Sequence, residues 1–221
     1  MLHGRTVSVV LLAGGASTRM GKNKLSIKFG GLNPIELCIK AFEFCADEFV
    51  IVCSKENLSA AEKAAGMLTV PVKFANGGIR RQDSAKNGVE ASSMNFVSIH
   101  DCARCLVDER TIENSLVGAF EFGSGIASVK VVDTIRNRFT GEIVERERLI
   151  AAQTPQSFNR EELIAAFDRC DFSNTTYTDD AAILLASGIM PNFTCGNASN
   201  MKLTSPDDIE LFSAIVERRK S

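Results

Sequence analysis

The sequence lacks the segments that would direct a protein to a membrane or to nucleic acid. No apolar run among its 221 residues reaches the roughly 18 residues that a membrane-spanning helix needs. The N-terminal residues contain no charged segment followed by an apolar one, so we expect no secretory signal. The net charge of −2 provides no basic field that would attract nucleic acid. We therefore expect a cytoplasmic protein that binds neither membranes nor nucleic acid.

Two common nucleotide-binding motifs are also absent. The chain contains no G-x-x-x-x-G-K-[ST] sequence, which excludes a Walker A loop, and no G-x-G-x-x-G sequence, which excludes the dinucleotide-binding fingerprint. Any nucleotide site must therefore combine small residues and cations in another way. The composition, with 45% hydrophobic and 24% charged residues, is ordinary for a globular protein. The length suffices for one domain with a substantial core or at most two small ones, and we expect a single domain over residues 1–221.

The seven cysteines do not form the pattern of a disulfide framework. Their number is odd, and Cys38, Cys45 and Cys53 lie in apolar segments, which favours reduced thiols in the cytoplasm. Cys102 and Cys105 form a C-x-x-C sequence, but neither a second C-x-x-C nor a pair of histidines completes a zinc site. A redox or metal role for this pair is thus a minor alternative.

The most informative segment follows the first apolar run. Residues 6–12 are apolar and β-branched and predict a buried strand. Small residues follow, Gly14 and Gly15 among them, so the backbone offers bare N–H groups to a ligand. Arg19 and Lys24 then supply cations of the kind that hold a triphosphate and neutralise charge as a phosphoryl bond breaks. We interpret the segment as a nucleotide phosphate site; the alternative is an ordinary turn with two surface cations.

Apolar β-type runs alternate with helical patterns in the first part of the chain. Strands are predicted over residues 6–12, 49–53, 70–74, 96–100 and 125–132. Helices are indicated by apolar residues at helical spacing, such as Ile35, Ile39 and Phe42. The alternation predicts an α/β fold, a mostly parallel twisted sheet with helices on both faces. Ligands of such sheets bind beyond the carboxyl ends of strands, which places Gly14 and Asp101 at the same edge.

The pattern changes after residue 132. Residues 133–148 alternate charged and apolar side chains around a Thr-Gly turn and predict a protruding β-hairpin. A two-stranded arm is marginal in water, so we expect residues 133–152 to form a dimerisation arm on a second subunit; the alternative is packing on its own domain. Helices are predicted over 160–171 and 178–187. Ser205 as N-cap and Pro206 at the first helical position predict a last helix, with Lys202 on a short strand before it.

Two polar segments follow predicted strands. Gly77 and Gly78 would let a flat base approach the backbone, with Ser84 at the edge of that base, although Gly-Gly turns are common and the signal is weak. Asp101 suits Mg²⁺, which one or two carboxylates and substrate phosphates usually hold; alternatively it caps the next turn. His100 is expected to be structural rather than a general base.

Several motifs, in order along the chain, together resemble those of one family. They are LAGG at 12–15, RMG at 19–21, Lys24, GG at 77–78, Arg81, DS at 83–84, HDCAR at 100–104, VDTI at 132–135, QTPQSF at 153–158, TDD at 178–180 and NMKLTSPDD at 200–208. In combination they resemble 2-C-methyl-D-erythritol 4-phosphate cytidylyltransferases over nearly the whole chain. The first motif alone also fits the wider nucleotidyltransferase superfamily, including molybdenum cofactor guanylyltransferases.

The resemblance implies a Rossmann-like nucleotidyltransferase fold and an enzyme that joins CTP and 2-C-methyl-D-erythritol 4-phosphate, releasing diphosphate, in non-mevalonate isoprenoid biosynthesis. It implies that Arg19 and Lys24 are catalytic and that Asp101 binds Mg²⁺ as the divalent cation. The implied nucleotide-binding residues are Ala13, Gly14, Gly15, Gly78, Ser84, Asp101 and Cys102. The implied substrate-binding residues are Arg104, Thr134, Arg146, Thr154 and Lys202. The resemblance also implies an arm that exchanges between the subunits of a homodimer, so that Arg146 would serve the neighbouring site.

The chain departs from the family pattern around the catalytic lysine. The loop before Lys24 is shorter and lacks the usual proline, which makes Lys22 a rival for the catalytic role. Cys105 stands where proline is usual, and Ser199 stands where some members carry aspartate, which leaves Asp101 as the expected protein ligand of the metal. Two alternatives remain: a ribitol 5-phosphate cytidylyltransferase with the same motifs, and a catalytically silent nucleotide-binding protein.

Overall fold

Two β-sheets, with helices packed around the larger one, are formed by residues 1–14, 23–173 and 175–220, which the computed structural model describes. The strands are β1 (Val7–Ala13), β2 (Glu48–Cys53), β3 (Val72–Asn76), β4 (Phe96–Asp101), β5 (Ser124–Lys130), β6 (Ile135–Arg136), β7 (Ile143–Val144), β8 (Ile150–Asn159) and β9 (Phe193–Cys195). The helices are α1 (Pro34–Phe42), α2 (Leu58–Ala65), α3 (Arg81–Ala91), α4 (Glu109–Phe122), α5 (Arg160–Arg169), α6 (Asp180–Ala186) and α7 (Asp208–Lys220). None of these helices is long and apolar enough to cross a membrane.

The larger sheet has seven strands in the order β3-β2-β1-β4-β8-β5-β9. β3, β2, β1 and β4 run parallel, β8 runs antiparallel to both of its neighbours, and β9 runs parallel to β5. The predicted mostly parallel α/β sheet is thus confirmed. Leu12 of β1 pairs with Asp101 of β4, so the carboxyl ends of these two strands meet at one edge of the sheet, as predicted.

The composition of β1 explains why the sheet is covered on both faces. All residues of this strand except Ser8 are apolar, so neither face is suited to contact with water. Val9 and Leu11 pack in a core with α1, α2, α4 and α7, whereas Val10 packs in a second core with α3, α5 and α6. The helices therefore lie on both faces, as predicted, and hold the strand ends in place.

The sequence analysis did not predict β8 or β9. β8 carries Gln153, Thr154, Gln156 and Ser157, which are polar but buried, so it lacks the apolar alternation typical of a strand. These side chains are used inside the protein; for example, Oε1 of Gln156 accepts a hydrogen bond from the backbone N–H of Asp180 at 2.9 Å. β9 has only three residues, which is too short for a periodic signal.

The C-terminal region differs in part from the prediction. The helices predicted over 160–171 and 178–187 are confirmed as α5 and α6, with slightly shorter bounds. Lys202, however, lies in irregular backbone rather than on a strand. The last helix begins at Asp208 and not at Pro206, because the preceding residues form a tighter turn in which the Asp208 N–H donates to the Ser205 carbonyl at 3.2 Å.

The predicted hairpin is the second sheet, formed by β6 and β7. Its turn contains Gly141 at a φ of 74°, a conformation that glycine adopts without strain. The arm exposes large apolar side chains, with Phe139 93% and Ile143 63% accessible. β8 begins at Ile150 and pairs with β5, so residues 150–152, which the prediction placed in the arm, belong to the larger sheet.

Candidate active site

A cavity of about 360 Å³ opens at the edge of the sheet where β1 and β4 end and α3 begins. Its lining includes six predicted site residues, Gly14, Lys24, Gly78, Ser84, Asp101 and Lys202, together with Leu12, Leu25, Ile79, Arg80, Arg81 and Ala103. The carboxyl ends of strands are where open α/β sheets bind their ligands. The fold therefore brings together residues that lie far apart in the sequence at the position expected for a ligand.

Asp101 lies in the cavity wall between two cations. Nζ of Lys202 lies 2.6 Å from Oδ2, and Nε of Arg81 donates to Oδ1 at 3.1 Å. Burial disfavours the charged carboxylate, but Arg81 and Lys202 outweigh this effect and hold the pKa of Asp101 well below its usual range. The carboxylate is thus ionised at neutral pH. Its side chain makes no capping hydrogen bond to the following turn, so the capping alternative is wrong.

Arg81 connects Asp101 to a second carboxylate. Nη2 of Arg81 donates to Oδ2 of Asp180 at 2.9 Å, and Asp180 is fully buried at the start of α6. Burial raises the pKa of Asp180, and the neighbouring Arg81 opposes that shift. Asp180, Arg81, Asp101 and Lys202 therefore form a chain of ion pairs of alternating sign that reaches from the interior to the cavity. The sequence analysis quoted Arg81 and Asp180 within motifs but gave them no role in the site.

The segment that carries Lys202 is fixed by its neighbours. Nδ2 of Asn200 donates to the Thr154 carbonyl at 2.8 Å, and the N–H of Leu203 donates to the Ala103 carbonyl at 2.8 Å. Asn200 and Leu203 are both fully buried. The backbone on either side of Lys202 is thus tied to β8 and to the turn after β4, and its side chain extends along the cavity wall to Asp101.

His100 and Thr154 form a buried network next to Asp101. The Thr154 hydroxyl accepts a hydrogen bond from the Asp101 N–H at 3.1 Å and lies 3.1 Å from Nδ1 of His100. Nε2 of His100 lies 3.2 Å from the Arg104 carbonyl. Burial lowers the pKa of His100 to about 4, so the imidazole is neutral at pH 7 and Nε2 carries its proton toward that carbonyl. This arrangement fits the structural role predicted for His100, and Thr154 supports the backbone of Asp101.

Arg104 and Cys102 lie on either side of Ala103 in the turn after β4. Nη1 of Arg104 donates to the Asn200 carbonyl at 2.9 Å, and burial lowers the pKa of its guanidinium. Cys102 is fully buried, and its carbonyl accepts from the Cys38 thiol at 3.8 Å. The small Ala103 between these two residues lines the cavity instead. Cys102 and Arg104, the predicted nucleotide-binding and substrate-binding residues on either side of Ala103, are thus not among the residues that line the cavity.

The loop after β3 approaches its own helix closely. A Cβ atom on Gly78 would lie 2.3 Å from Cβ of Asp83, so this position accepts only glycine. The N–H of Gly78 donates to the Ser84 hydroxyl at 2.9 Å. Ser84, which the sequence analysis placed at the edge of a base, thus holds the loop in shape. A Cβ on Gly14 would meet Cα of Gly77 at 3.8 Å, which shows how near the two glycine loops lie.

Asn57 links the end of β1 to the segment that carries Lys24. Nδ2 of Asn57 donates to the carbonyl of the buried Ala13 at 2.7 Å, and Nδ2 of Asn23 donates to Oδ1 of Asn57. Oδ1 of Asn23 accepts from the N–H of Leu25 at 3.0 Å and starts a short 3₁₀-helix, Lys24–Ser26. These bonds position Lys24 in the cavity wall.

The remaining predicted residues are not among those that line the cavity. Gly15, Arg19 and the rival Lys22 lie outside the residues that the structure describes. Thr134 and Arg146 lie on the arm, where Thr134 is exposed and Nη1 of Arg146 donates at 2.6 Å to the carbonyl of Val132, just before the arm. Neither of them is among the residues that line the cavity.

The C-x-x-C pair carries neither a disulfide nor a metal cluster in the described ranges 1–14, 23–173 and 175–220. Cys102 and Cys105 are free thiols, and burial raises the pKa of Cys105 to about 12, which keeps its thiol protonated and unreactive at neutral pH. No group of three or more His, Cys, Asp or Glu side chains in those ranges is arranged to hold a metal. A divalent cation at Asp101 would take its other ligands from substrate phosphates and water.

Comparison with known sequences identifies the family of this chain. A family model described as 2-C-methyl-D-erythritol 4-phosphate cytidylyltransferase matches residues 7–218. The protein of that name from Alkaliphilus oremlandii is 33% identical over 227 residues, which cover 96% of each chain. The protein of that name from Bacillus licheniformis is 34% identical over 223 residues and again covers 96% of each chain. The match thus includes the whole cavity.

Solved structures show the same fold. The crystal structure of 2-C-methyl-D-erythritol 4-phosphate cytidylyltransferase from Thermus thermophilus has a TM-score of 0.80 and 27% identity, with coverage of 96% of this chain and 99% of that one. The 4-diphosphocytidyl-2C-methyl-D-erythritol synthase of Anaerococcus prevotii has a TM-score of 0.86 at 20% identity, with coverage of 97% and 100%, and its likeness concerns the fold alone. The nucleotidyltransferase fold implied by the motifs is confirmed.

Proposed function

Since this chain belongs to the 2-C-methyl-D-erythritol 4-phosphate cytidylyltransferase family, we propose which of its residues carry out the family's reaction. The enzyme joins CTP and 2-C-methyl-D-erythritol 4-phosphate to give CDP-methylerythritol and diphosphate in isoprenoid biosynthesis. The observation that carries our assignment is Asp101 held between Arg81 and Lys202 in a cavity that Lys24 also lines. Cations held in fixed positions suit phosphoryl transfer between two anionic substrates, which depends mainly on positioning and charge stabilisation.

The reaction needs charge stabilisation at the α-phosphate of CTP. A phosphate oxygen of the sugar alcohol attacks the α-phosphorus, the bond to diphosphate breaks, and negative charge moves to the leaving diphosphate. The protein contributes mainly by positioning and by fixed positive charge. We assign this role to Lys24, which the bonds around Asn23 and Asn57 hold in the cavity wall, and to Arg19.

The two substrates are assigned to different parts of the site. The cytidine lies along Gly14, Gly15 and Gly78, and the presence of Gly14 and Gly78 in the cavity lining supports this position, because residues without a Cβ atom let a ligand approach the backbone closely. The phosphate of methylerythritol lies near Lys202, whose ammonium group lines the cavity. Thr154, Arg104 and Cys102 support this wall from behind through their contacts with Asp101, Asn200 and Cys38.

We assign a Mg²⁺ ion to Asp101. The chemistry of the site fits this assignment, because the side chain is an ionised oxygen donor in the cavity wall and Mg²⁺ is commonly held by one or two carboxylates plus substrate phosphates. When bound, the ion neutralises charge on the triphosphate. Asp101 would supply one ligand, and the fixed position of its carboxylate would orient the nucleotide.

We assign to the arm the contact between the two subunits of a cytoplasmic homodimer. Phe139 and Ile143 are largely exposed on the arm, and a two-stranded arm alone cannot bury such side chains. A second subunit related by two-fold symmetry would cover both arms by mutual exchange. Thr134 and Arg146 would then contact the substrate phosphate in the neighbouring cavity.

Release of diphosphate tests the proposed function. Purified protein is incubated with CTP, Mg²⁺ and 2-C-methyl-D-erythritol 4-phosphate, and ribitol 5-phosphate serves as the comparison substrate. We expect turnover with a higher kcat/KM for methylerythritol phosphate. Binding of CTP without turnover of either polyol phosphate would instead indicate a catalytically silent protein, and a preference for ribitol 5-phosphate would contradict the substrate assignment.

A further inference from the structure

The two cations at Asp101 differ in how firmly they are held. Arg81 donates to Oδ1 with one nitrogen and to the fully buried Asp180 with another. Removal of Arg81 from Asp101 would leave Asp180 without its partner in the interior, which is strongly unfavourable. Lys202 contacts Asp101 from the cavity, and 37% of its side chain is exposed, against 9% for Asp101.

A divalent cation at Asp101 would compete with Lys202 for the same oxygen. A Mg²⁺ ion binds a carboxylate oxygen at about 2.0–2.1 Å, and the Lys202 ammonium lies 2.6 Å from Oδ2. With both present, the two cations would lie no more than about 5 Å apart in a partly buried site, where repulsion is weakly screened. Oδ1 is not a better position, because Arg81 occupies it and is anchored by Asp180.

Lys202 has the means to move away. Its ammonium group is at the end of a flexible side chain, whereas the neighbouring backbone is fixed by the buried residues Asn200 and Leu203. A change of side-chain rotamer, without a change of fold, would thus remove the ammonium from Oδ2. The cavity that Lys202 lines provides space for the ammonium group in another rotamer.

We propose that Lys202 occupies the metal position of Asp101 and is exchanged for the divalent cation, while the Arg81–Asp180 pair keeps the carboxylate in place. In the metal-free protein Lys202 neutralises Asp101. Arrival of the cation replaces that contact and releases the ammonium group into the cavity, where an anionic substrate can bind it. This inference rests on the assignment of a metal to Asp101 in the proposed function.

Binding of Mn²⁺ alone, in the absence of nucleotide, tests the exchange. Free Mn²⁺ is measured by electron paramagnetic resonance during titration of the wild type and of Lys202→Met. Removal of the competing ammonium should tighten Mn²⁺ binding by about 5- to 10-fold, as expected for loss of one partly buried ion pair. Lys202→Arg retains a cation of similar reach and should leave the affinity close to that of the wild type.

Two further variants separate competition from a general effect of charge. Lys24→Met removes the same charge from the same cavity at another position, so it should change Mn²⁺ affinity by less than about 2-fold if direct contact matters. Asp101→Asn should weaken Mn²⁺ binding, and in that background Lys202→Met should give no further gain. Thermal unfolding of each variant confirms that the fold is intact.

The possible results distinguish failure of the exchange from failure of the metal site at Asp101. If Lys202→Met binds no tighter than Lys24→Met, or if its gain persists with Asn at position 101, the exchange is refuted while Asp101 remains a ligand. If Asp101→Asn binds Mn²⁺ as well as the wild type does, both the exchange and the metal assignment fail. Diphosphate release, measured separately, still decides the proposed reaction.

Discussion

We expect the protein to lose stability between pH 7.5 and 5, and replacement of His100 by glutamine should remove a large part of that loss. In the folded protein His100 is fully buried, and burial lowers its pKa from 6.5 to about 4. In the unfolded chain the imidazole takes up a proton below about pH 6.5, whereas the folded protein resists protonation down to about pH 4. Because the unfolded state binds more protons in this window, stability is lost as the pH falls from 6.5 toward 4.

The two pKa values give the size of this effect. At pH 7.5 the imidazole is neutral in both states and contributes almost no pH dependence. At pH 5, protonation of the histidine in the unfolded state lowers the free energy of unfolding by about 2 kcal/mol. Below pH 4 this reduction reaches its full value of about 3 kcal/mol. Carboxylates with lowered pKa values, such as Asp101 and Asp108, lose their stabilising effect only as the pH falls below about 4, so they do not interfere at pH 5.

Urea unfolding at pH 7.5 and 5 measures the effect. The wild type should lose about 2 kcal/mol more of its free energy of unfolding than His100→Gln does over this interval. Loss of the hydrogen bonds to Thr154 and Arg104 destabilises the variant at both pH values, so the comparison uses the difference between the two pH values in each protein.

His3 provides a matched control for this experiment. It is the other histidine of the chain and is exposed at the surface, with Nε2 3.5 Å from Glu113. His3→Gln is measured in the same way, as a variant that removes an exposed histidine instead of the buried one. The reasoning would be refuted if His100→Gln lost as much stability as the wild type between pH 7.5 and 5, since His100 would then titrate alike in both states.

Three predictions concern the reaction. Lys24→Ala and Arg19→Ala should each lower kcat by about 10²-fold or more in steady-state assays, because each removes a fixed charge at the α-phosphate. If Lys22→Ala instead lost most of its kcat while Lys24→Ala kept nearly all of it, Lys22 would be the catalytic lysine. Asp101→Asn should raise the Mg²⁺ concentration needed for half-maximal rate, and an unchanged magnesium titration would remove Asp101 from the metal site. Arg146→Ala should raise KM for methylerythritol phosphate more than for CTP. Mixed dimers of Arg146→Ala and Lys24→Ala subunits should regain activity at one of their two sites, and failure to complement would place Arg146 outside the neighbouring cavity.

Apolar sequence patterns predicted the central strands but not the polar ones. β1, β2 and β4 are buried on both faces, so their apolar runs indicate strands directly. β8 lies beside β4 in the same sheet, but between residues 153 and 157 its buried positions carry polar side chains. These side chains hydrogen-bond within the protein, and a pattern based on hydrophobicity cannot detect a strand of this kind.

The strand-end rule predicted the position of the site, whereas the pairing of its charges could not be predicted. Gly14 and Asp101 were expected at one edge because both follow parallel strands, and the paired register of Leu12 with Asp101 confirms it. The partners Arg81 and Asp180 are 99 residues apart, and Asp101 and Lys202 are 101 residues apart. Each of these pairs depends on the folded positions of α3, α6 and the segment before α7, and no local spacing in the sequence encodes that arrangement.

The carboxylate of Asp101 allows two cations to lie side by side in the cavity wall before an anionic substrate binds. Arg81 and Lys202 would repel each other in a partly buried wall if no carboxylate lay between them. Each bonds a different oxygen of Asp101, and Asp180 balances Arg81 from the interior, so the four side chains together carry no net charge.

A triphosphate therefore meets a network whose own charges are balanced, and its binding must rest on cations added to that network. Lys24 in the cavity wall, Arg19 and a metal ion are the candidates for that role. If the metal also replaces Lys202 at Asp101, its arrival adds two positive charges to the network and frees a third from its partner. The ion-pair network thus sets the geometry, and the added cations set the affinity for anions. This division explains why loss of Asp101 is expected to change metal dependence, whereas loss of Lys24 is expected to change kcat.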